Sequence, residues 1–364
     1  MNRRLKIMRR TLVVLAWNYQ EKPPKVKTKE GERRIAMEAI VKRSLEGIKF
    51  GEIQVHGHVA VIPIIGSGDS GPDYLTMKEA MEQQLLTVTE VTEGGTVPEL
   101  QVINRGQKPV LLLDGEELSG AKQNRVLNTT ILLKEISETV IPVSCTEHGR
   151  WSYRSAHFEE SGHIMSAKLR RVKNASVYEN LKSAQTFRSD QGAVWDEIAI
   201  QAHINKVSPV TGAMKDVLDA KQEDMDAFLE HLPIIAAQEG LIVLVNGEVV
   251  GLDRVSRPAS FSVLHPKLIR SYVMDALTEK PKMAKETPRE KADAFLGRIY
   301  QCAEQKFESV GYGQDYRYEG RKIVGSALVH EEAVIHMAFF QITETEKAGR
   351  MSPVSRRRAY RTNQ

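Results

Sequence analysis

The segment LIVLVNGEVVGL, residues 241–252, is the clearest fold signal in the chain. Two apolar runs flank Asn246-Gly247, a pair that suits the tight primed turn of a β-hairpin because both turn residues take positive φ. Helical spacing of apolar residues follows over 266–277, and residues 322–329 and 333–340 end the pattern as two more strands. The C-terminal part is therefore predicted to combine strands with packed helices.

The region before this hairpin is predicted to be helical. Asp190 is placed to cap one helix, and a longer helix is expected over residues 214–232, just before Pro233. Beyond the hairpin, a further helix is expected to run through Phe295 and Phe307.

The first half of the chain has the pattern of short strands. They are predicted at residues 59–65, 86–91, 99–104, 110–113 and 140–143, and Pro63 places the first of them at a sheet edge or a bulge. Thr76 and Glu79 have the spacing of a capping box, which opens a short helix to about residue 86. Strands, then helices, then strands favour an α+β fold over a regular βαβ series.

Two short segments of the sequence are similar, an internal echo that raises the question of whether the chain has two related halves. LLLDGE at 111–116 resembles VLVNGE at 243–248, and each reads as a strand entering a hairpin turn. Two copies of one strand-turn unit and two independent hairpins both explain the echo. The predicted fold is a β-rich α+β body with several packed helices. If the two segments are copies of one strand-turn unit, the body consists of two related halves.

Composition narrows the class of protein. Apolar residues make up 41% and charged residues 27% of 364 residues, which excludes a chain disordered throughout. Two cysteines cannot build a disulfide framework, and no apolar run approaches the roughly 20 residues of a membrane helix. We expect a cytoplasmic protein without a membrane span.

Charge is unevenly distributed. Residues 1–50 carry 14 Lys or Arg against 5 Glu, residues 350–364 carry five Arg and no acid, and the intervening body is net −10 within a total of +4. The expected organisation is a basic extension over 1–46, a domain over 47–345 (divided, if at all, near 185 into 47–185 and 186–345), and a basic tail over 346–364. The ends could attract nucleic acid or an anionic membrane surface, or they could be solvated tails; no aromatic interleaving or recognised motif supports nucleic acid as a partner.

Two polar blocks each follow an apolar run. DGEELSGAKQNRVLNTT spans residues 114–130, and SCTEHGRW spans residues 144–151. Their mixture of acids, cations, amides and glycines differs from an ordinary solvated charge cluster, so we predict one ligand pocket where the preceding strands end.

The residue types in these blocks indicate roles. Carboxylates act as acids, bases or hard-metal ligands, and cations suit phosphate. Catalytic candidates are Glu117, Glu147 and Glu116, of which Glu116 and Glu117 are expected to point to opposite faces of a strand. Ligand-binding candidates, which include cations, amides and a ring for stacking, are Asp114, Lys122, Gln123, Asn124, Arg125, Arg150 and Trp151.

Metal and thiol chemistry are weaker interpretations. Asp114 and Glu117 are the candidates to hold a divalent cation, and no cofactor is identified beyond that. Zinc at Cys145 and His148 lacks a second ligand pair in the sequence, and a thiolate nucleophile at Cys145 would need His148 to fold back toward it. A small buried cysteine at a strand end is the simpler interpretation.

The two polar blocks resemble the ADP-ribosylglycohydrolase and rhodanese-phosphatase-superfamily-associated domain family. Residues 241–277 and SALVHEEAVIHMAFF (326–340) fit the same family, and the likeness covers about residues 47–342. The resemblance implies a role linked to NAD and ADP-ribose derivatives. The family's polar positions map onto Asp114, Gly115, Glu116, Glu117, Lys122, Gln123, Arg125, Cys145, Glu147, Arg150 and Trp151.

Three hypotheses follow. The first is an enzyme that hydrolyses a small phosphorylated sugar or nucleotide, with Lys122, Arg125 and Arg150 neutralising phosphate and Glu117 or Glu147 directing water. The second is a module that senses a nucleotide or scaffolds partners without turnover. The third is a structural protein tethered by its basic ends. The oligomeric state is not indicated by the sequence.

Overall fold

The structure is a computed structural model, and it describes residues 37–342 apart from 67–69, 93, 96 and 283–285. The predicted basic tail, and all but the last ten residues of the predicted N-terminal extension, lie outside the described residues. Within them the chain forms a β-rich α+β fold, as predicted.

Eight helices occur in the described part of the chain. They are α1 (Ala39–Glu46), α2 (Met77–Glu82), α3 (Ala167–Ala184), α4 (Gln191–Ile204), α5 (Met214–Asp219), α6 (Gln222–His231), α7 (Pro258–Ala276) and α8 (Pro288–Ile299).

Eighteen strands occur in the same residues. They are β1 (Lys49–Phe50), β2 (Gln54–His56), β3 (Val59–Ile65), β4 (Leu75–Thr76), β5 (Leu86–Glu90), β6 (Glu99–Asn104), β7 (Val110–Leu112), β8 (Glu116–Gly120), β9 (Arg125–Leu127), β10 (Ile131–Leu133), β11 (Ser137–Cys145), β12 (Phe158–Ile164), β13 (Gln238–Val245), β14 (Glu248–Val255), β15 (Ala303–Glu308), β16 (Gln314–Gly320), β17 (Ile323–His330) and β18 (Ala333–Gln341).

The strands form one large sheet, one barrel and one small sheet. The large sheet has the order β1-β3-β13-β14-β18-β17-β16-β15, with β2 also paired to β3. The barrel closes in the order β11-β6-β5-β12-β8-β9, and β10-β7-β4 form the small sheet. Because β1 to β3 join the later strands, the large sheet draws on both proposed subdomains; the division near 185 stays a prediction.

The large sheet is covered on both faces. Alternate residues of β13 face opposite sides, so Leu241 and Val243 pack in one core with α3 and α7, while Ile242 and Leu244 pack in another with α1 and α8. Helix α1 buries Val41 and Leu45 in that second core, although it lies in the predicted extension. A third core fills the barrel.

The hairpin and the capped helices are confirmed. Strands β13 and β14 pair around Asn246 (φ 53°) and Gly247 (φ 78°), as the primed turn requires. The Thr76 side chain and Glu79 form a complete capping box for α2, and Asp190 caps α4 through the Ala193 amide.

Several element predictions are wrong. The helix expected over 214–232 is two helices, α5 and α6, because the backbone leaves the helical region at Lys221 (φ −112°, ψ 7°). Phe307 lies in β15, since α8 ends at Ile299. Helix α7 begins at Pro258 and contains Pro266, because Pro258 fits the first helical turn and buried apolar residues continue past Pro266.

Two strand predictions also change. Strand β3 is internal to the large sheet, so the placement of Pro63 at an edge is wrong. The alternative, a bulge, has a counterpart close by: the pairing of β3 with β13 shifts register between Gln238 and Gly240, opposite Ile65 and Ile64. The echo at 111–116 is not a hairpin, because β7 pairs with β10 and β4 while β8 pairs with β12 and β9.

Candidate functional site

The two polar blocks meet in space. Strand β9 pairs antiparallel with the end of β11, which places Arg125 opposite Cys145. The Asn124 amide donates to Glu147 Oε2 at 3.2 Å, and the Thr146 hydroxyl donates to Glu117 Oε1 at 2.7 Å. The predicted approach of residues 114–133 to residues 144–151 is therefore present in the structure.

The barrel wall divides these side chains between two faces. Leu118 and Leu127 belong to the core inside the barrel, whereas Val126 packs in the core shared with the helices. Since side chains alternate along a strand, Arg125 points inside with Leu127, and Glu117 points outside with Val126. The candidates predicted to line one pocket thus lie on both sides of the wall.

One end of the barrel interior holds a polar group that we call the barrel-end cluster: Glu90, Lys122, Gln123, Arg125, Cys145 and Trp151. Arg125 is fully buried, and its Nη1 donates to Gln123 Oε1 at 3.2 Å. Its Nε and Nη2 make no hydrogen bond with the described residues, and Nη2 lies 3.9 Å from Glu90 Oε1.

Aromatic rings border this cluster on the solvent side. Trp151 is 48% exposed, and its ring centroid lies 5.5 Å from Lys122 Nζ and 5.8 Å from Arg125 Cζ. Tyr153 is also exposed and lies 4.9 Å from Lys122 Nζ. Lys122 Nζ donates to the Gly94 carbonyl at 2.6 Å, which ties the β5–β6 loop to the cluster.

Cys145 is a protonated thiol in this setting. Its Sγ donates to Gln123 Oε1 at 3.0 Å, and burial raises the pKa of the thiol to about 11. Burial also lowers the pKa of Arg125, against the opposing charge of Glu90. The thiolate nucleophile considered from the sequence is therefore not favoured at neutral pH.

Glu147 and Arg150 form a clamp between loops. Arg150 Nε and Nη2 bind the two carboxylate oxygens of Glu147 at 2.9 and 2.6 Å, and Thr211 donates to the same carboxylate at 2.8 Å. Arg150 Nη1 also donates to the Ala121 carbonyl at 2.7 Å. Burial opposes ionisation, but these hydrogen bonds hold the pKa of Glu147 below its ordinary value. Both side chains are thus occupied by protein partners.

Asp114 and Glu116 attach the barrel to the helices. Asp114 binds Lys173 of α3, and Glu116 accepts hydrogen bonds from Lys267 of α7 and, at 2.8 Å, from the Leu113 amide. All of these side chains are nine-tenths or more buried. Two of the predicted functional carboxylates therefore serve as inter-element ion pairs in the structure.

A larger ion network, which was not predicted from the sequence, continues from Asp114. Arg170 lies 3.9 Å from Asp114 and binds both oxygens of Asp253, at 2.7 and 2.8 Å. Tyr272 and His336 also bind Asp253, at 2.6 and 3.1 Å. The network joins α3, α7, β14 and β18.

Glu117 has a different environment. It is fully buried, and its Oε2 makes no hydrogen bond with the described residues. Burial, opposed by the Thr146 hydroxyl, raises the pKa of Glu117 to about 7. The prediction that Glu116 and Glu117 take different directions agrees with their separate partners.

A β-bulge lies opposite Glu117. Strand β12 is in register with β8 at Glu160 and again at Ile164, so residues 161–163 face Glu117 alone. His163, within the bulge, binds Asp219 of α5 at 2.7 Å. Bulges are common beside active sites, because they re-aim side chains.

The residues do not fit the metal predicted from the sequence. Within the described ranges, no group of three or more His, Cys, Asp or Glu side chains is placed to hold a metal ion. Asp114 faces Lys173 and Arg170, and Glu117 accepts from Thr146, so each carboxylate has a protein side chain as its partner in place of a metal ion.

Sequence reasoning missed Glu90. It follows Leu86 and Val88 at alternate positions of β5, and all three share the side that faces the barrel interior. The signal that could have identified Glu90 is an acidic residue at the next alternate position after two apolar residues of a strand.

These features define a class: an α+β protein in which a barrel is joined by buried ion pairs to a helix-covered sheet. The model of the ARG and Rhodanese-Phosphatase-superfamily-associated Protein domain family, ARPP-1, matches residues 47–340, and the chain belongs to this family. No curated protein and no solved structure matches the chain. None of the helices in the described residues has the length and apolar character needed to cross a membrane.

Proposed function

We propose that the barrel-end cluster binds a small phosphorylated sugar or nucleotide, such as an ADP-ribose derivative. One observation carries the proposal: Arg125 is fully buried, yet its Nε and Nη2 make no hydrogen bond with the described residues. A buried donor without a partner costs about 1–3 kcal/mol, so such a pair of donors is expected to have a partner in the working protein.

Phosphate matches this arrangement. The guanidinium presents donors in a planar fork, which binds two oxygens of a phosphate at once. Lys122 supplies a second positive charge, and the exposed ring of Trp151 lies over both cations. A sugar or base attached to the phosphate would find in Trp151 a face on which to stack.

Binding is supported better than turnover. Glu147 is held by Arg150 and Thr211, and Glu116 by Lys267, so neither carboxylate is placed to direct water. The geometry therefore favours the sensing or ligand-binding hypothesis. The tethering hypothesis depends on basic ends that lie largely outside the described residues.

Hydrolysis is a second candidate, favoured by Glu117, and it places the substrate on the outer side of the barrel wall, apart from the barrel-end cluster. This carboxyl lies beside a bulge, its pKa is near neutrality, and its Oε2 makes no hydrogen bond with the described residues. Such a group can donate and accept a proton at physiological pH. Under this candidate, Glu117→Gln abolishes release of product from ADP-ribose while Glu159→Gln, on the exposed side of β12, does not.

Calorimetric titration with ADP-ribose and with inorganic phosphate tests binding. We expect saturable binding to the wild type, loss in Arg125→Gln, and no change in Arg321→Gln, which alters an exposed arginine. Trp151→Ala removes an exposed ring without opening the core and should weaken ADP-ribose binding by about 10-fold. Absence of binding to the wild type, or unchanged binding in Arg125→Gln, would contradict the proposal.

A further inference from the structure

Glu90 is the second buried residue of the cluster with polar atoms that make no hydrogen bond with the described residues. Its side chain is 5% exposed, and neither carboxylate oxygen makes a hydrogen bond with the residues that the structure describes. It approaches Arg125 to 3.9 Å, which is too far for a hydrogen bond. The two side chains therefore face each other as opposite charges. Arg125 has donors, and Glu90 has acceptors, that make no hydrogen bond with the described residues.

The chemistry of the two groups is complementary. An ionised carboxylate only accepts hydrogen bonds, whereas a guanidinium only donates them. A phosphate monoester, which is mainly dianionic at neutral pH, would satisfy Arg125 but would offer Glu90 no donor of its own. A ligand that satisfies both must carry acceptor oxygens and hydroxyl or amino donors close together.

The loop beside Glu90 is shaped for close approach. Gly95 has φ +74°, and a side chain there would begin 3.4 Å from Glu90 Oε2 and 3.2 Å from Lys122 Cδ. Backbone without a side chain therefore lies beside both charged groups. A compact polar ligand can approach a backbone of this kind more closely than it could approach a larger residue.

We propose that Glu90 is a specificity-determining residue that accepts hydrogen bonds from the hydroxyls of the ligand's sugar, while Arg125 holds the phosphate. The inference rests on the proposed function, and it restricts the ligand class to sugar phosphates with free ring hydroxyls, the 2-hydroxyl among them. It also gives a role to a carboxylate that lies next to an anion site, where its charge alone would weaken phosphate binding.

Three probes separate the two contributions: ribose 5-phosphate, 2-deoxyribose 5-phosphate and inorganic phosphate. Their affinities are measured by calorimetry on the full chain, as wild type, Glu90→Gln and the exposed-site control Glu159→Gln. We expect the wild type to bind ribose 5-phosphate about 10-fold or more tighter than the deoxy sugar, because a charged acceptor loses its donor in the analogue.

Substitution of Glu90 should change the selectivity for ribose 5-phosphate over 2-deoxyribose 5-phosphate. Glu90→Gln should reduce the ratio between the two sugars to below about 3-fold, because the amide oxygen is a neutral acceptor in place of a charged one. Glu159→Gln should keep the wild-type ratio. Glu90→Asp, which keeps the charge on a shorter side chain, should also lower the ratio and serves if Glu90→Gln does not fold.

The outcomes distinguish the two proposals. An unchanged ratio in the Glu90 variants, or a wild type that does not discriminate the sugars, overturns the role of Glu90 but leaves phosphate binding at Arg125 intact. Failure of all three probes to bind the wild type overturns the proposed function and this inference together.

Discussion

Arg170 of α3 and Asp253 of β14 form a bidentate ion pair that is sealed from solvent, with N–O distances of 2.7 and 2.8 Å. Because Asp253 also binds Tyr272 and His336, this pair fixes two helices to the large sheet. The same Arg170 lies beside Asp114 at the start of the first polar block, so the network links the barrel to the rest of the described domain.

Asp253→Asn should be strongly destabilising. It leaves Arg170 as a buried cation without its partner, which typically costs about 3–5 kcal/mol. Urea unfolding followed by circular dichroism measures the loss. Asp293→Asn, on the exposed side of α8, is the control and should stay within about 0.5 kcal/mol of the wild type. A similarly small effect at Asp253 would show that the network contributes little.

Gly115→Ala should destabilise the turn between β7 and β8. Gly115 has φ +84°, and an added Cβ would lie 2.9 Å from Arg170 Cγ, so both strain and a clash oppose the substitution. We expect a loss of about 1–3 kcal/mol in thermal or urea unfolding. Gly297→Ala is the matched control, since it lies in α8 with nothing within 4 Å; it should be neutral or stabilise by up to about 1 kcal/mol.

Glu117 should make stability depend on pH. The pKa of Glu117 rises from 4.5 to about 7 on folding. The protonated carboxyl therefore adds to the free energy of unfolding below about pH 4.5, and this stabilisation is lost as the pH rises toward 7. Relative to Glu117→Gln, the wild type should lose about 3 kcal/mol of unfolding free energy between pH 4 and pH 8. Parallel urea titrations of the two proteins measure this difference; a constant difference across that range would contradict the environment assigned to Glu117.

Glu147→Gln should weaken the clamp that joins residues 120–124 to residues 147–152. The variant removes the charge that Arg150 binds through two nitrogens, so a loss of about 2–4 kcal/mol is expected. Hydrogen exchange should increase first at the Asn124 amide, which donates to Glu147. Unchanged exchange at this amide would argue against the clamp.

The sequence predicted the elements whose signals are local. Asn246-Gly247 and the Thr76–Glu79 spacing each specify a backbone conformation within a few residues, and both predictions are confirmed. The division of residues 214–232 into two helices was not predictable in this way, because apolar spacing continues through the break at Lys221.

The candidate site was predictable in part. Two polar blocks after strands indicated that their residues would meet, and the pairing of Arg125 with Cys145 shows that they do. Which side of a wall each residue takes depends on strand register, which the sequence alone does not supply. The partners of Asp114 and Glu116 are likewise distant in sequence: Lys173 and Lys267 lie on helices whose docking is set by tertiary packing.

A crystal structure of the chain with ADP-ribose at saturating concentration would show whether Arg125 binds the phosphate. We expect a phosphate within about 3.2 Å of Arg125 Nε and Nη2, with the ligand reaching Trp151. Density for the ligand at another place, with Arg125 unchanged inside the barrel, would contradict it.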